Sequence, residues 1–310
     1  MIVKKEKKGN IMVYYVSKDI DDEKIKTMMN TFIEPSQIEF IIDHDADVFT
    51  TEGKLVLKFR KGVLPEKNIK LFYDNIIGHA MRQTSNRGSA SGSRKKNNRD
   101  NPKTRTNIFG FFDKWSPKQK FLFKKRNFKP KINVRECLFN RDHPEKFANT
   151  LPLLQDIDRL YAKWLPLQYK LQRAKADKTH CKIPGTAFTT ITTNVNFRTS
   201  LHTDKGDDPE GFGNLVVIQN GHFDGAQTAF PQFKIAVDVR QNDILFMDVH
   251  LPHANLPFSL SLYAIRLSIV SYLRPQIFLN SRFLSLNHTR KLLSLIPTQD
   301  GGTGSKLEKV

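Results

Sequence analysis

Cysteine and long apolar runs are both scarce in this sequence. Only Cys137 and Cys181 occur among 310 residues, too few for a disulfide framework or a cysteine-rich zinc site. No run of about 18 apolar residues is present, as a membrane-spanning helix would need. Residues 1–8 are too polar for a secretory signal. We therefore expect a protein of a reducing intracellular compartment that has no membrane partner.

Acidic residues are scarce in one part of the chain. The net charge is +19; residues 1–80 are balanced, whereas residues 81–140 hold 17 basic and three acidic residues. Such a basic block is typical of a surface that binds phosphates. Arg94, Lys95 and Lys96 lie within it, and we predict that they bind the backbone of a nucleic acid, DNA or alternatively RNA. Aromatic residues are interleaved with its cations. Such rings suit stacked bases, but we expect several of them in the core instead: Phe109, Phe111, Phe112, Trp115, Phe121, Phe123 and Phe128.

The 39% hydrophobic content is enough for one large β core with flanking helices. Hydrophobic patterning predicts strands at 11–16 and 54–61, helices at 21–32, 66–81, 147–164 and 278–296, and a β-rich core at 187–275. The predicted regions are an N-terminal α/β segment that packs on the core (1–82), a mobile basic loop (83–106), the β-rich region with a supporting helix (107–280), and a helix with a polar tail (281–310).

His202 and Asp204 are separated by one residue. On a strand, side chains two apart point to the same side, so these two can bind one metal ion while Thr203 points away. Two histidines and one carboxylate are the ligand set of non-haem Fe(II) oxygenases. The second histidine must come from another strand, and the apolar residues 242–248 predict one. It leads to two candidates, His250 and His253. We favour His253, at the start of the next turn; His250 would then face the substrate or support the site.

Arg266 and Ser268 lie on the same face of a strand predicted at 263–273. An arginine inside an apolar strand is costly unless it meets an anion, and its planar guanidinium suits a carboxylate in two-point contact. The C5 carboxylate of 2-oxoglutarate is the natural candidate, with the Ser268 hydroxyl as a supporting donor. The order of His202, Asp204, His253 and Arg266 along the chain is the layout of an Fe(II)/2-oxoglutarate dioxygenase.

Residues 187–273 resemble the TET/JBP family of nucleic-acid base dioxygenases, and its J-binding-protein branch more than its animal TET branch. The resemblance weakens upstream, at 109–115 and 135–139. Ala226 and Asn242 stand where the family often has glycine, which predicts slightly different turns there. The motifs that carry the resemblance are residues 193–199, 202–207, 211–213, 228–231, 236–240 and 243–250.

The resemblance implies a mainly β fold with flanking helices (α+β) and a double-stranded β-helix (jelly roll, cupin-like) core. It also implies Fe(II) on His202, Asp204 and His253, and 2-oxoglutarate bound by Arg266 with Ser268 and Asn194. The implied reaction oxidises the methyl group of thymine or 5-methylcytosine in DNA, in the nucleus or another DNA-containing compartment. We expect a monomer. A protein or small-molecule hydroxylase, or a non-catalytic nucleic-acid-binding jelly roll, remains the alternative.

Asp207 bears on the choice of base, and Arg198 and His250 are further candidate substrate contacts. In the TET branch an asparagine at the position of Asp207 contacts the flipped cytosine. A carboxylate only accepts hydrogen bonds, so it can pair with thymine N3–H or the cytosine amino group, but not with cytosine N3 unless it is protonated. This favours thymine. The alternative is that Asp207 caps the turn it forms with Gly206.

Overall fold

The computed structural model describes residues 1–84, 88–92 and 104–298. Its strands are β1 (Ile2–Lys8), β2 (Ile11–Val16), β3 (Phe40–Ile42), β4 (Ala46–Thr50), β5 (Leu55–Arg60), β6 (Thr106–Phe112), β7 (Arg135–Glu136), β8 (Thr190–Val195), β9 (Gly213–Asn220), β10 (Phe223–Gly225), β11 (Thr228–Phe230), β12 (Ile235–Val237), β13 (Ile244–Met247), β14 (Ala254–Asn255), β15 (Phe258–Leu260) and β16 (Ile265–Tyr272). Its helices are α1 (Asp22–Met28), α2 (Glu66–Ala80), α3 (Pro117–Lys125), α4 (Leu138–Asp142), α5 (Pro144–Trp164), α6 (Pro166–Ala176), α7 (Pro275–Ser281) and α8 (Leu286–Ser294).

Two sheets form the jelly-roll core. The major sheet has ten strands in the order β1-β2-β4-β5-β13-β9-β16-β8-β6-β7, and the minor sheet has four in the order β14-β11-β12-β3. The central strands β13, β9, β16 and β8 pair antiparallel. This mainly β architecture with flanking helices is the fold class that the sequence predicted.

Side chains of β13 alternate between two cores. Ile244 and Phe246 pack with helices α2 and α5 on the outer face of the major sheet. Leu245 and Met247 pack between the two sheets. All four are buried, as the continuous apolar run predicted, because a strand covered on both faces needs no polar side. The apolar stripe of α5, formed by Leu154, Ile157, Tyr161 and Trp164, packs on the same outer face.

The N-terminal segment is part of the sheets. β5 pairs antiparallel with β13, and β3 pairs parallel with β12 of the minor sheet. We predicted a segment that packs on the core and placed the β-rich core at 187–275; the structure instead extends both sheets with strands from the first 112 residues. Pairing between strands so distant in the chain leaves no periodicity signal, which is why the sequence did not show it.

Several predicted elements differ in extent. The helix predicted at 21–32 ends at Met28, and Asn30 has a left-handed φ of 67°. The helix predicted at 278–296 is two helices, α7 and α8, which Phe283 separates with a φ of 67°. Most of the loop predicted at 83–106 lies outside the described residues. No helix in the described part of the chain is both long enough and apolar enough to cross a membrane.

Ala226 and Asn242 both adopt the left-handed conformation that favours glycine, with φ of 61° and 66°. The turns that we expected to differ therefore keep the backbone shape of glycine turns. Asparagine tolerates this region, whereas alanine is strained there by about 1 kcal/mol. The Ala226 carbonyl in this strained turn accepts a hydrogen bond from Arg266, one of the predicted site residues.

His79 on α2 makes the fold sensitive to acid. Its ring packs on Phe139 and faces the Ile108 carbonyl, and burial lowers the pKa of His79 to about 4. The unfolded chain takes up this proton near pH 6.5, so the stabilising contribution is complete above that pH and is lost as pH falls towards 4. Urea unfolding should show about 2 kcal/mol less stability at pH 5 than at pH 7 from this residue. His79→Phe should lose less between the two pH values; an equal loss would contradict the assignment.

Candidate active site

Three potential metal ligands converge at one end of the two sheets. One ligand atom each from His202, Asp204 and His253 lie within 4.8 Å of one another. The backbones of the two histidines pair in an antiparallel bridge, with His202 N donating to His253 O at 3.0 Å and His253 N to His202 O at 2.9 Å. This bridge holds residues 51 positions apart in the chain side by side. Asp204 is held separately, by a hydrogen bond from its amide to the Val249 carbonyl.

Backbone carbonyls orient both histidine rings. Nδ1 of His202 lies 2.8 Å from Ser200 O, and Nδ1 of His253 lies 2.9 Å from Leu251 O. A carbonyl can only accept, so each Nδ1 carries the proton and each Nε2 has the lone pair that a metal requires. Nε2 of His202 faces Asp204 Oδ1 at 3.7 Å. The tautomers therefore suit metal binding at Nε2 of both rings.

His250 lies outside this cluster. Its amide donates to Asp248 Oδ1, and its Nε2 lies 3.2 Å from the Asp208 carbonyl. It does not line the pocket described below. The structure thus places His253 beside His202 and Asp204. It places His250 neither in this cluster nor on the wall of the pocket.

Arg266 is a buried cation on the inner face of β16. Its side chain is 1% exposed, and its guanidinium stacks on Phe223 with 5.6 Å to the ring centroid. Nη2 reaches the Ala226 carbonyl at 3.4 Å, and Nε has no hydrogen-bond partner in the described part of the chain. Burial and the nearby Arg240 lower the pKa of Arg266 to about 10, against the opposite effect of Asp238. Among the described residues, no carboxylate lies within ion-pair distance of it.

Ser268 and Asn194 stand beside Arg266. They face each other across the β16–β8 pair, and the Asn194 amide donates to the Ser268 hydroxyl at 3.3 Å. Both are buried and line the pocket. Leu267 and Ile269 point to the helices instead. The alternation of β16 thus places Arg266 and Ser268 towards the candidate metal ligands and Leu267 and Ile269 towards the outer core.

The six residues predicted to bind iron or 2-oxoglutarate line one cavity of about 450 Å³. His202, Asp204 and His253 lie on its wall together with Arg266, Ser268 and Asn194. The volume is in the range of small-molecule sites. The other lining residues include Phe112, Lys114, Trp115, Ser116, Pro117, Arg135, Lys205, Asp207, Tyr272 and Arg274.

Asp207 is buried at the base of the loop that carries the candidate ligands. Its Oδ1 accepts hydrogen bonds from the amides of Asp208 and Leu273, contacts that fix the loop against the end of β16. Burial raises the pKa of Asp207 well above its usual value, against the hydrogen bond from Asp208 N and with added repulsion from Asp204. A protonated carboxyl group can donate as well as accept hydrogen bonds, so Asp207 does not by itself favour thymine over 5-methylcytosine.

Arg274 and Tyr272 are pocket residues that the sequence reasoning missed. Arg274 donates two hydrogen bonds to Asp113, at 2.8 and 3.1 Å, and stacks on Phe112. Burial acts to lower the pKa of Arg274, but Asp113 and Tyr272 outweigh it, so the net shift is upward. Its guanidinium lies directly over Gly206, where an added Cβ would come within 2.4 Å of Nη1. The sequence carried a signal for both residues, because positions 266, 268, 270, 272 and 274 alternate along the strand and therefore point to the same face as Arg266.

Other predicted substrate residues lie elsewhere. The structure does not bring Arg198 into the pocket: its guanidinium donates to the Ile33 carbonyl and to Glu34, and stacks on Phe32. It holds the N-terminal segment to the core. Arg94, Lys95 and Lys96 lie outside the described residues. Of the aromatic residues in the basic block, Phe109, Phe111 and Phe123 are buried as expected, whereas Phe121 is exposed.

The residues present suit Fe(II) and 2-oxoglutarate. The donor set of two imidazoles and one carboxylate matches the facial triad of non-haem iron. The orphaned Nε of buried Arg266 marks a place for an anion, since a buried charge without a partner is costly. A carboxylate would satisfy it, and Ser268 would add a hydroxyl donor.

A jelly roll that joins this donor set to a buried arginine in one cavity defines the class of iron- and 2-oxoglutarate-dependent oxygenases. Residues 120–275 match the sequence model of the Tet_JBP family, the oxygenase domain of the 2OGFeDO superfamily. The chain belongs to this family. The match includes every candidate ligand and Arg266.

Curated relatives share this region. The chain is 40% identical over 141 residues to the bifunctional helicase and thymine dioxygenase JBP2 of Leishmania tarentolae, which is 45% of this chain and 13% of that protein. It is 30% identical over 239 residues to the thymine dioxygenase JBP1-A of Trypanosoma cruzi, 75% of this chain and 26% of that protein. The chain therefore spans between about an eighth and a quarter of the length of these relatives.

The fold has a counterpart among solved structures. NgTET1 in complex with 5mC DNA superposes with a TM-score of 0.53 at 11% identity, over 88% of this chain and 98% of that one. At this identity the likeness concerns the fold. It is consistent with the jelly-roll arrangement of the two sheets.

Proposed function

We propose that this chain is an Fe(II)- and 2-oxoglutarate-dependent dioxygenase that oxidises the methyl group of a pyrimidine base in DNA, with thymine as the preferred base and 5-hydroxymethyluracil as the first product. One observation carries the proposal: a two-histidine, one-carboxylate cluster and an orphaned buried arginine share a single cavity. The thymine dioxygenase relatives support the choice of substrate.

The candidate metal ligands and Arg266 with Ser268 each have a role in this reaction. His202, Asp204 and His253 would hold iron, and Arg266 with Ser268 would bind the distal carboxylate of 2-oxoglutarate. Iron, when bound, couples the conversion of 2-oxoglutarate and O2 into succinate and CO2 to insertion of the second oxygen atom into a C–H bond. The carbonyl acceptors of Ser200 and Leu251 keep both imidazoles in the tautomer that binds metal.

The position of the cavity requires the base to leave the duplex. The candidate ligands lie on the wall of the cavity, where His253 is 5% exposed while His202 and Asp204 are partly exposed, so we expect a base paired inside a helix to be flipped before its methyl group reaches them. Lys114, Arg135 and Lys205 line the same cavity, where cations can neutralise the flanking phosphates. These residues lie in the described part of the chain and complement the basic loop predicted at 83–106.

Arg274 favours thymine over 5-methylcytosine where its guanidinium faces position 4 of the base. A guanidinium only donates hydrogen bonds; thymine has the O4 acceptor at position 4, whereas cytosine has an amino donor there, although both bases have an acceptor at O2. Asp113 fixes Arg274 on the cavity wall, and the lack of a side chain at Gly206 leaves room for its guanidinium. Arg274 would then donate to thymine O4, whereas Asp207, whose pKa is raised, does not by itself distinguish the two bases.

The test is incubation of the purified chain with Fe(II), 2-oxoglutarate and two matched duplexes, one with unmodified thymines and one that also carries 5-methylcytosine, followed by nucleoside mass spectrometry. We expect 5-hydroxymethyluracil from both duplexes and little 5-hydroxymethylcytosine. An RNA of the same sequence that carries 5-methyluridine in place of each thymidine gives the comparison for the sugar, because the base and its methyl group are then unchanged. Oxidised cytosine in excess would move the assignment to 5-methylcytosine, and oxidation of neither base would reject the function.

A further inference from the structure

Phe121 is an exposed aromatic residue on the helix that borders the cavity. Phe121 is 70% exposed, whereas Phe123, two positions further along the chain, is 7% exposed. Two helical positions correspond to about 200° of rotation, so the two rings point to opposite sides of α3. Phe123 packs edge-on against Trp115, with 5.0 Å between ring centroids, and this contact fixes which side of α3 faces solvent.

Phe121 lies one helical turn from a residue that lines the cavity. Trp115, Ser116 and Pro117 line the cavity, and Pro117 is the first residue of α3. Residues i and i+4 of a helix share one face, with Cβ atoms about 5–6 Å apart. Pro117 and Phe121 are such a pair. The exposed ring of Phe121 therefore lies on the same face of α3 as Pro117, close to the cavity.

The surroundings of Phe121 are cationic. Helix α3 contains no acidic residue, and the exposed residues on either side of the ring are Lys118, Lys120, Lys124 and Lys125. An exposed phenylalanine in a basic surface complements a partner that joins apolar ring faces to phosphate charge. Nucleic acid has this combination, because stacked bases lie between two anionic backbones.

Helix α3 is held rigidly. Ser116 and Gln119 form a reciprocal capping box at its start, and Phe123 packs into a cluster with Ile132, Ile277 and Leu293 of neighbouring elements. Trp115 is tied by its Nε1 to Asn133. A side chain projected from such a support loses little freedom when it enters a partner.

We propose that Phe121 is a wedge that inserts into the base stack of duplex DNA beside the cavity and occupies the space left by the base that enters it. Apolar side chains insert between base steps in this way in proteins that distort DNA. The inference rests on the proposed function, since it assumes a flipped base as substrate. It assigns to α3 a part in extraction of the base that is separate from the chemistry at the candidate iron ligands.

The experiment compares the wild type, Phe121→Ala, Phe121→Leu and the matched control Leu167→Ala, which removes an equally exposed side chain, 74% exposed, from α6. Each enzyme is assayed on one target thymine in a fully paired duplex, in the same strand alone, and opposite a mismatched base. On the paired duplex Phe121→Ala should lower kcat/KM about 10-fold to 100-fold, the range of a lost base–aromatic stack. On the single strand it should stay within about twofold of the wild type, because no stack must be opened.

The mismatched duplex should lie between these limits, Phe121→Leu should recover part of the loss, and Leu167→Ala should match the wild type on every substrate. Equal loss on paired and single-stranded DNA would show a general strand contact and overturn the wedge, and so would wild-type activity of Phe121→Ala on the paired duplex. Failure of the proposed function looks different, because the wild type itself would then oxidise none of the three substrates. In that case 2-aminopurine placed beside the target thymine decides: wild-type protein should brighten it on binding and Phe121→Ala should not.

Discussion

Replacement of His202, Asp204 or His253 by alanine should abolish tight Fe(II) binding, each weakening it by more than about 100-fold, since even residues that only orient a ligand cost 10-fold to 100-fold. The three side chains supply one ligand atom each to a cluster within 4.8 Å, and two ligands cannot hold the metal on one face. Metal titration by calorimetry under anaerobic conditions measures the change directly. Thermal melting of each variant without metal shows whether the fold is intact.

His250→Ala is the matched control. It removes a histidine three residues from His253 whose Nε2 faces the Asp208 carbonyl and not the cluster. Iron affinity should stay within about threefold of the wild type, less than the loss expected even for a residue that orients a ligand. Loss of iron in His250→Ala together with retention in His253→Ala would reverse the assignment of the second histidine.

Arg266→Lys should weaken 2-oxoglutarate binding by about 10-fold to 100-fold although it preserves the charge, because a compact ammonium cannot reproduce a two-point contact with a carboxylate. Arg266 is buried, stacks on Phe223 and has an unsatisfied Nε, so its interaction with an anion is strong and geometrically demanding. Titration of the Fe(II)-loaded protein with 2-oxoglutarate measures the change. Iron affinity itself should be unaltered.

Arg240→Lys provides the comparison for this prediction. Arg240 stacks on the same Phe223 ring at 4.4 Å, but it pairs with Asp238 and does not line the cavity. Its replacement should leave the affinity for 2-oxoglutarate nearly unchanged. Wild-type affinity in Arg266→Lys, or an equal loss in both variants, would remove Arg266 from the co-substrate site.

The sequence was sufficient for features that depend on local spacing. Residues two apart on a strand share a face, so His202 with Asp204 and Arg266 with Ser268 could be paired from the sequence alone. Apolar patterning gave β2, β5, α2 and α5 within a few residues, because each carries a period of 2 or 3.6 that does not depend on its neighbours. The jelly-roll class followed from the resemblance.

What the sequence could not supply depends on contacts between distant segments. The pairing of β3 with β12 and of β5 with β13 leaves no local signal in the sequence. The contacts of Arg198 with Ile33 and Glu34 also join distant segments, so the sequence could not show that Arg198 lies outside the pocket. The protonation preference of Asp207 follows from burial, which only the folded chain has. Arg274 was within reach, since it continues the face of Arg266, but its partner Asp113 lies 161 residues away.

The most direct test of the central claim is a reaction under ¹⁸O2 with the purified chain, Fe(II), 2-oxoglutarate and thymine-containing duplex DNA. Mass spectrometry of both products follows each oxygen atom. We expect one labelled oxygen in succinate, one in the hydroxymethyl group of 5-hydroxymethyluracil, and equal amounts of the two products at early times. Labelled succinate without any oxidised base, or an oxidised base without label, would contradict it.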